Sequence, residues 1–189
     1  MNKTQLRTTY KAKRREITTE EYSGFNAKIK SNFFKEFPSM DGKTVQSFLP
    51  IKERKEVDTW PIISQLRNSR VTITVPKADL ELLTLTSYIL DDHTQFEENE
   101  WGVREPVSGK EVAARKIDMV LLPLLAFDLN GYRVGYGKGF YDRFLSQCRS
   151  DALKVGLSFF PPVDQIEDVD QYDRSMDYCI TPHEVFRFE

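Results

Sequence analysis

A glycine-rich segment in the second half of the chain has the residue types best suited to chemistry. Three alternating glycines stand beside two basic side chains, in the order Arg133, Gly135, Gly137, Lys138 and Gly139. Glycines let a backbone approach phosphate oxygens closely, and a helix that begins directly after a strand offers unpaired N–H groups to an anion. The segment therefore predicts a phosphate-binding loop in which Lys138 has the leading role.

The spacing matches neither of two common phosphate-binding motifs. A Walker A loop requires a glycine where Tyr132 stands and a serine or threonine where Gly139 stands. A dinucleotide-binding fingerprint places its third glycine where Phe140 stands, and it needs an acidic residue about 20 positions later that this sequence lacks. A glycine-rich turn without a ligand is therefore an alternative, although a turn alone does not require the neighbouring Lys138 and Asp142.

The elements that position this segment follow from the pattern of apolar residues. Two helices are predicted first, because Leu6, Tyr10 and Ile17 lie near helical spacing and Thr18 with Glu21 forms a capping box before a second apolar stripe. Short β-branched runs then alternate with amphipathic stretches. Strands are predicted at 45–49, 71–75, 118–122 and 154–158, helices near 58 and at 138–147, and a sheet-edge strand at 82–90.

Strands joined by helices favour a parallel arrangement, because parallel neighbours need a crossover connection and crossovers are right-handed. We expect an α/β fold, a Rossmann-like three-layer α/β/α sandwich with a mainly parallel, mixed central sheet. No repeat, low-complexity tract or Pro/Gly/Ser-rich linker divides the sequence. A chain of this length buries enough apolar surface for one core, so residues 1–189 are predicted to form a single domain.

Charge and composition exclude several classes of function. The chain has 27 basic and 29 acidic residues, whereas nucleic-acid binding usually goes with a strongly basic domain or stripe. Cys148 and Cys179 are far apart, and His93 and His183 stand alone, so a His/Cys metal cluster is excluded. No apolar run approaches the ~18 to 20 residues of a membrane-spanning helix. We expect no nucleic-acid or membrane partner.

The start of the chain bears on location. It lacks the hydrophobic centre of a secretory signal. Residues 1–15 are basic and free of acids, as in a transit peptide, but they contain few serines and continue into helical sequence. The cysteines have no redox spacing. A cytoplasmic protein in a reducing compartment is the preferred interpretation.

Beyond these local features, the chain resembles a known family, the 5-formyltetrahydrofolate cyclo-ligases, also called 5,10-methenyltetrahydrofolate synthetases. The longest shared motif, at 123–142, is a Pro-x-x-Ala-Phe-Asp strand end followed by Gly-x-Arg-Val-Gly-x-Gly-Lys-Gly-Phe-Tyr-Asp. A Lys-x-x-Leu-Arg motif lies at 3–7 and a Glu-Val-Asp-Thr motif at 56–59. Further matches lie at 75–77, at 101–106 and at 173–177, and the last of these is expected to lead into the final strand of the chain. The motifs follow the family's order over essentially the whole chain.

The resemblance implies an ATP-dependent cyclo-ligase reaction. Such an enzyme uses ATP as co-substrate and Mg²⁺ as cofactor to close 5-formyltetrahydrofolate into 5,10-methenyltetrahydrofolate, releasing ADP and phosphate. The formyl oxygen attacks the γ-phosphate, and N10 of the folate then attacks the activated carbon as phosphate leaves. The implied ligands are MgATP and the folate, with or without a polyglutamate tail, and we expect the protein to be a monomer.

The matched positions imply a role for each site residue. Lys138 and Arg133 are expected to be catalytic, and Asp142 and Asp173 to bind magnesium through carboxylate oxygens. The residues expected to bind ATP are Lys3, Arg7, Arg133, Val134, Gly135, Tyr136, Gly137, Lys138, Gly139, Phe140 and Tyr141. Those expected to bind the folate are Glu56, Ile51, Trp101 and Phe140, with Pro50 as an alternative to Ile51 beside the pterin.

Structural roles are open for several of these residues. Lys3 and Arg7 also suit a solvated helix face, and Asp142 also suits the first turn of a helix, where it would stabilise the positive end of the dipole. Asp173 is equally a loop acid in the acidic C-terminal third, and Trp101 equally a core residue.

The chain also departs from the family pattern. Phe140 stands where the family more often has tyrosine, Tyr136 occupies a variable position, and charged residues at 52–55 precede Glu56. The stretch 91–115 is a candidate lid.

Three other functions stay open from the sequence. One is a folate- or nucleotide-binding protein without turnover. Another is a phosphosugar isomerase or acyl-CoA enzyme on a related fold, which would need neither ATP nor magnesium. The third is an RNA-binding module that uses the basic N-terminal helix, for which affinity would fall steeply with salt.

Overall fold

A computed structural model describes residues 1–188 as a central eight-stranded sheet flanked by helices. The helices are α1 (Lys3–Glu16), α2 (Thr19–Glu36), α3 (Trp60–Arg67) and α4 (Phe140–Leu145), with 3-10 helices at Lys52–Arg54 and Ala114–Lys116. The strands are β1 (Thr44–Gln46), β2 (Thr72–Asp79), β3 (Thr84–Ile89), β4 (Phe96–Glu98), β5 (Arg104–Pro106), β6 (Glu111–Val112), β7 (Met119–Pro123), β8 (Ala126–Phe127), β9 (Arg133–Val134), β10 (Leu153–Leu157), β11 (Tyr178–Ile180) and β12 (Val185–Arg187).

Capping boxes define where the first two helices begin. In α1 the Asn2 side chain accepts a hydrogen bond from the Gln5 backbone N–H, and the Gln5 side chain accepts one from the Asn2 N–H. In α2 the same exchange joins Thr18 and Glu21, which confirms the predicted capping box. Each box satisfies N–H groups that the first helical turn leaves without intrahelical partners.

The central sheet has the strand order β12-β11-β10-β7-β1-β2-β3-β6. The five strands from β11 to β2 are parallel, whereas β12, β3 and β6 pair antiparallel with their neighbours. The chain moves from β1 to β2 in one direction and from β7 to β10 in the other, so the order reverses between β1 and β7. In α/β sheets the crevice beyond the carboxyl ends of strands at such a reversal is where ligands bind.

The two crossovers run in opposite directions, so right-handed connections place their helices on opposite faces. Alternate residues of β7 show this division. Met119 and Leu121 pack in one core cluster with the apolar residues of α2 and α3. Val120 and Leu122 pack in a second cluster with Phe144 of α4. These layers confirm the predicted sandwich with its mainly parallel, mixed sheet.

A third apolar cluster attaches α1 to the crevice. Leu6 and Tyr10 of α1 pack against Leu125, Ala126 and Val134, which belong to the β8–β9 hairpin and the residue before it. This hairpin follows β7 and lies outside the central sheet. Helix α1 is therefore held beside the carboxyl ends of the strands, where its basic residues can face a ligand.

The predicted elements are present, and some differ in extent. Strand β1 ends at Gln46, earlier than predicted. Beyond it the Ser47 N–H still donates to the Thr74 carbonyl of β2, whereas the Phe48 carbonyl accepts a hydrogen bond from the Thr59 hydroxyl at 2.7 Å. Helix α4 has only six residues, since Gly139 adopts a left-handed backbone with φ of 68° directly before it. Helix α4 is therefore too short for its dipole to contribute much to anion binding at this loop.

Two predictions at the sheet edges were wrong in position. Strand β3 is not at the edge, because Ser87 and Tyr88 pair with β6 beyond it. The Asp173–Asp177 segment leads into β11, and the last strand is β12, which turns back antiparallel to β11. No helix among the described residues is both long and apolar enough to cross a bilayer.

We predict that Leu121→Ala lowers the free energy of unfolding by about 2–5 kcal/mol, because it leaves a cavity in the middle of the core. Leu121 is fully buried in β7. Leu82→Ala is the matched control, since Leu82 is 71% exposed and its truncation should cost less than about 0.5 kcal/mol. Urea denaturation of both variants measures the difference, and equal losses would contradict this description of the core.

Candidate active site

The carboxyl ends of β1 and β7 open into a cleft of about 1330 Å³. Pockets for one small molecule usually enclose roughly 300–1,000 Å³. Eleven basic and seven acidic side chains line the cleft, whereas acids outnumber bases in the whole chain. The cleft therefore has room for two ligands and an excess of positive charge for an anionic one.

Helix α1 contributes the first two predicted cations. The Lys3 ammonium lies 2.5 Å from Asp173 Oδ2, and only 14% of the Lys3 side chain is exposed. Arg7 Nε donates to the Gly135 carbonyl at 3.0 Å. Both side chains line the cleft. They therefore face the glycine-rich loop and the C-terminal acids, not a solvated helix surface.

The glycine-rich loop runs from β9 to α4 along the cleft. Gly137 has a φ of 92°, and a Cβ there would lie 3.0 Å from Arg7 Cζ, so glycine is needed for the close approach of Arg7. Lys138 is exposed, with Nζ 5.7 Å from the centre of the Trp101 ring. Val134 is different, because its side chain is buried in the α1 cluster and does not line the cleft.

Arg133 is a buried cation of the site. Its side chain is 5% exposed, and Nη2 lies 2.8 Å from Asp142 Oδ1. Nη1 donates to the Arg174 carbonyl at 2.6 Å, and the Arg174 backbone N–H donates back to Asp142 Oδ1 at 3.1 Å. The loop and the segment around Asp173 are thereby joined through one carboxylate, because Asp142 accepts from the residue that follows Asp173.

The chemistry of these two carboxylates suits the magnesium ion that the sequence predicts. Asp142 uses Oδ1 for its internal hydrogen bonds, and Asp173 uses Oδ2, which also accepts from the Asp170 N–H at 2.7 Å. One oxygen of each carboxylate is thus left for a cation. Mg²⁺ in phosphate-transfer sites commonly takes one or two carboxylates and completes its shell with waters and phosphate oxygens.

Glu56 is the buried acid on the other side of the cleft and is 4% exposed. Its Oε2 accepts from the Ile51 N–H at 2.9 Å, and its Oε1 accepts from the Tyr136 hydroxyl at 2.5 Å. Ile51 lines the cleft, whereas Pro50 does not. Burial first, and the Glu56 charge second, raise the pKa of Tyr136 and of Tyr141 well above the ordinary value.

Trp101 and Phe140 form an aromatic wall of the cleft. Their ring centroids are 6.1 Å apart in an edge-to-face arrangement. The β4–β5 hairpin carries Trp101, and its turn is fixed by the Asn99 side chain, which accepts from the backbone N–H groups of Trp101 and Val103 at 3.0 and 3.1 Å. Trp101 is therefore a cleft residue, not a core residue, and the 91–115 stretch contains an ordered hairpin.

Sequence reasoning missed Arg14, which lines the cleft and is 6% exposed. Its Nη1 donates to the Tyr136 hydroxyl at 3.0 Å, and its Nη2 donates to the Leu124 carbonyl. A signal was available, because Arg14 stands in the stripe formed by Leu6, Tyr10 and Ile17. A basic residue on the buried face of a helix needs a partner.

Family membership follows from comparison with known proteins. A model described as the 5-formyltetrahydrofolate cyclo-ligase family matches residues 1–182. The chain belongs to this family. Cyclo-ligases of this family are ATP-dependent, and the chain is therefore an enzyme of the ligase class.

Individual members of the cyclo-ligase family match most of the chain. The 5-formyltetrahydrofolate cyclo-ligase of Mycoplasma pneumoniae is 30% identical over 163 residues, covering 84% of this chain and 86% of the relative. The Escherichia coli K12 protein of the same name is 28% identical over 187 residues, covering 93% and 98%. The solved 5,10-methenyltetrahydrofolate synthetase of Aquifex aeolicus is 30% identical with a TM-score of 0.81, covering 100% of this chain and 94% of that chain. Its Mycoplasma pneumoniae counterpart is 25% identical with a TM-score of 0.78, covering 96% and 99%.

We predict that Gly137→Ala lowers the free energy of unfolding by roughly 1–2 kcal/mol, because an L-residue is strained at positive φ and the new Cβ presses on Arg7. Gly135→Ala is the matched comparison, since nothing lies within 4 Å of a Cβ there. Thermal denaturation of both variants measures the effect. A larger loss in Gly135→Ala would contradict the loop geometry.

Proposed function

We propose that this protein catalyses the ATP- and magnesium-dependent cyclisation of 5-formyltetrahydrofolate to 5,10-methenyltetrahydrofolate, with release of ADP and phosphate. The observation that carries the proposal is the meeting in one cleft of a cationic glycine loop and a buried carboxylate beside an aromatic wall. The loop suits a polyphosphate, and the carboxylate suits the N–H groups of a pterin. Membership of the cyclo-ligase family supports the same pairing of ligands.

The basic side chains of the cleft support the proposed position of the ATP subsite. From α1, Arg7 contacts the loop and Lys3 contacts Asp173, and Lys138 of the loop lines the same cleft. Arg133 is more deeply buried and forms an ion pair with Asp142. Phosphoryl transfer depends mainly on positioning and on stabilising charge around the transferred group. Lys138 and Arg133 are therefore proposed to stabilise the γ-phosphate as it leaves ADP.

The proposed folate subsite contains Glu56, Ile51, Trp101 and Phe140, all of which line the cleft. A formamide carbonyl is a poor electrophile, so the formyl oxygen first attacks the γ-phosphate. The resulting imidate-like phosphate is then attacked by N10, the N10 proton is lost, and phosphate leaves as the five-membered ring closes. The protein supplies no covalent nucleophile in this scheme, and its contribution is to bring the two ligands together.

Asp142 and Asp173 are proposed to hold magnesium through the oxygens that their internal hydrogen bonds leave open. When bound, Mg²⁺ neutralises charge on the phosphate oxygens and restrains their geometry. The same two carboxylates also position Arg133 and Lys3. Each carboxylate thus pairs with a basic side chain of the protein and, in the proposed complex, also binds the Mg²⁺ ion that accompanies ATP.

The cytoplasm is the proposed location, and a monomer the proposed state. Cys148 and Cys179 are both free thiols, and thiols stay reduced in cytosolic compartments. Burial raises the pKa of the Cys148 thiol to about 11 and that of the Cys179 thiol well above its usual value. Both therefore stay protonated and poorly reactive at neutral pH.

Near-ultraviolet absorbance tests the proposal directly. The methenyl product contains a conjugated amidine that the substrate lacks, so we expect the absorbance to rise when protein, 5-formyltetrahydrofolate and MgATP are mixed. The rise should require both ATP and magnesium. If folded protein binds both ligands without any rise, the protein is a binding protein and the proposal is wrong. Turnover without ATP would point instead to an isomerase-type reaction.

We predict that Lys138→Ala lowers turnover by about a hundredfold or more, the size of effect seen when one donor to a developing charge is removed. The fold should survive, because Lys138 is exposed. Lys28→Ala is the matched control, since Lys28 is an exposed residue of α2 outside the cleft. Turnover is followed by the same absorbance, and wild-type turnover in folded Lys138→Ala protein would remove Lys138 from the mechanism.

A further inference from the structure

We propose that Tyr136 is a positioning residue that orients the Glu56 carboxylate toward the folate, and that Arg14 fixes the direction of the Tyr136 hydroxyl. The inference rests on the proposed function, in which Glu56 binds the pterin. It also moves the Tyr136 side chain from the ATP subsite, where sequence reasoning placed it, to the folate subsite. The ATP side of the loop is then formed by Lys138 and the glycine backbone.

The hydrogen bonds fix where the Tyr136 proton points. Arg14 has no acceptor atom, so its Nη1 at 3.0 Å can only donate to the Tyr136 oxygen. The single hydroxyl proton is therefore directed to Glu56 Oε1, 2.5 Å away. Burial and the Glu56 charge raise the pKa of Tyr136, which keeps this proton in place at neutral pH. The two hydrogen bonds are therefore donated in one direction, from Arg14 to Tyr136 and from Tyr136 to Glu56.

The Tyr136 ring also has contacts that restrain its position. Arg54 Cζ lies 5.0 Å from the ring centre and Lys11 Nζ lies 5.7 Å from it, both within the range of cation–π contacts. Arg14 and Lys11 come from α1, and Arg54 from the 3-10 helix that precedes Glu56. The ring therefore connects three parts of the cleft wall that are distant in sequence.

Glu56 keeps acceptor capacity for a ligand after these contacts. A carboxylate has about four acceptor positions, and the side-chain oxygens of Glu56 use one for the Ile51 N–H and one for Tyr136. Its backbone is also restrained, because the Tyr22 hydroxyl donates to the Glu56 carbonyl at 2.8 Å. A pterin that presents two N–H donors would meet a carboxylate already fixed in orientation, which reduces the entropic cost of binding.

Tyr136→Phe tests the inference, because it removes the hydroxyl and keeps the ring with its cation–π contacts. We expect the Kd of 5-formyltetrahydrofolate, measured by calorimetry without ATP, to rise about tenfold, as for loss of one hydrogen bond to a charged group. The Kd of MgATP should change less than about twofold. Tyr132→Phe is the matched control, since the Tyr132 hydroxyl makes no hydrogen bond within residues 1–188, and it should leave both values unchanged.

The outcomes separate the inference from the proposed function. Wild-type protein that fails to bind 5-formyltetrahydrofolate would overturn the proposed function and the inference with it. Wild-type protein that binds, together with a Tyr136→Phe variant that binds equally well, would overturn the inference alone. Weaker MgATP binding in Tyr136→Phe with unchanged folate binding would return Tyr136 to the ATP subsite and would also overturn it.

A double-mutant cycle with Glu56→Gln distinguishes positioning from direct contact. If Tyr136 acts through Glu56, then Tyr136→Phe should weaken folate binding less than about threefold in the Glu56→Gln background, because coupled residues are not additive. A full tenfold loss in both backgrounds would mean that Tyr136 touches the ligand itself, which contradicts the positioning role. Arg14→Lys keeps the charge but loses the fork, and we expect it to weaken folate binding only when Tyr136 is present.

Discussion

Two guanidinium groups that are almost withdrawn from solvent, those of Arg14 and Arg133, set the conditions for the rest of the cleft. Removing a charge from water is costly unless the charge is paired and its donors are satisfied. Arg133 meets this requirement with the Asp142 carboxylate and the Arg174 carbonyl. Arg14 meets it only in part, because Nη1 and Nη2 donate to the Tyr136 hydroxyl and the Leu124 carbonyl, while the buried Nε has no partner and no carboxylate forms an ion pair with Arg14 within residues 1–188.

These requirements join segments that the fold alone brings only into proximity. Helix α1 and the acidic segment near Asp173 come from opposite ends of the sequence and are connected by the Lys3–Asp173 ion pair. Hydrogen bonds connect the glycine-rich loop and the start of α4 to both of them. Arg14 is connected to Glu56 only through a neutral hydroxyl. Lys3 and Arg133 are thereby paired with carboxylates of the protein itself. The Glu56 carboxylate accepts its hydrogen bond from the Tyr136 hydroxyl.

The proposed requirement for magnesium has a physical reason in this arrangement. Asp142 and Asp173 neutralise Arg133 and Lys3, so a polyphosphate entering the same region meets two carboxylates as well as the cations. Like charges at short range are strongly unfavourable where the local dielectric is low. Asp142 and Asp173 would hold a divalent ion through the oxygens that their hydrogen bonds leave open, and its charge would offset this repulsion while the ion pairs of the protein are kept.

Much of the fold could be predicted from local signals. The capping box of α2, the apolar run of β7 and the crossovers are encoded by neighbouring residues, and the layers follow from the handedness of the connections. The length of β1 could not be predicted, because the Phe48 carbonyl bonds to the hydroxyl of Thr59 and not to a strand neighbour, and that partner is not visible in the local pattern. The outer position of β6 likewise depends on pairing between residues that are distant in sequence, Ser87↔Val112 and Tyr88↔Glu111.

The residues of the candidate site also separate into those that local sequence features predict and those that depend on the tertiary fold. Gly137 and Lys138 could be predicted because glycine spacing and a neighbouring lysine are local features, whereas Arg14 could not be assigned a role without its distant partners. Its partner atoms belong to Leu124 and Tyr136, more than a hundred positions along the chain. A buried arginine in an apolar stripe predicts only that some acceptor exists, and the tertiary fold decides which one. Here one acceptor is the hydroxyl that contacts Glu56, so the arginine that connects α1 to Leu124 and Tyr136 is also the one proposed to orient the acid through that hydroxyl.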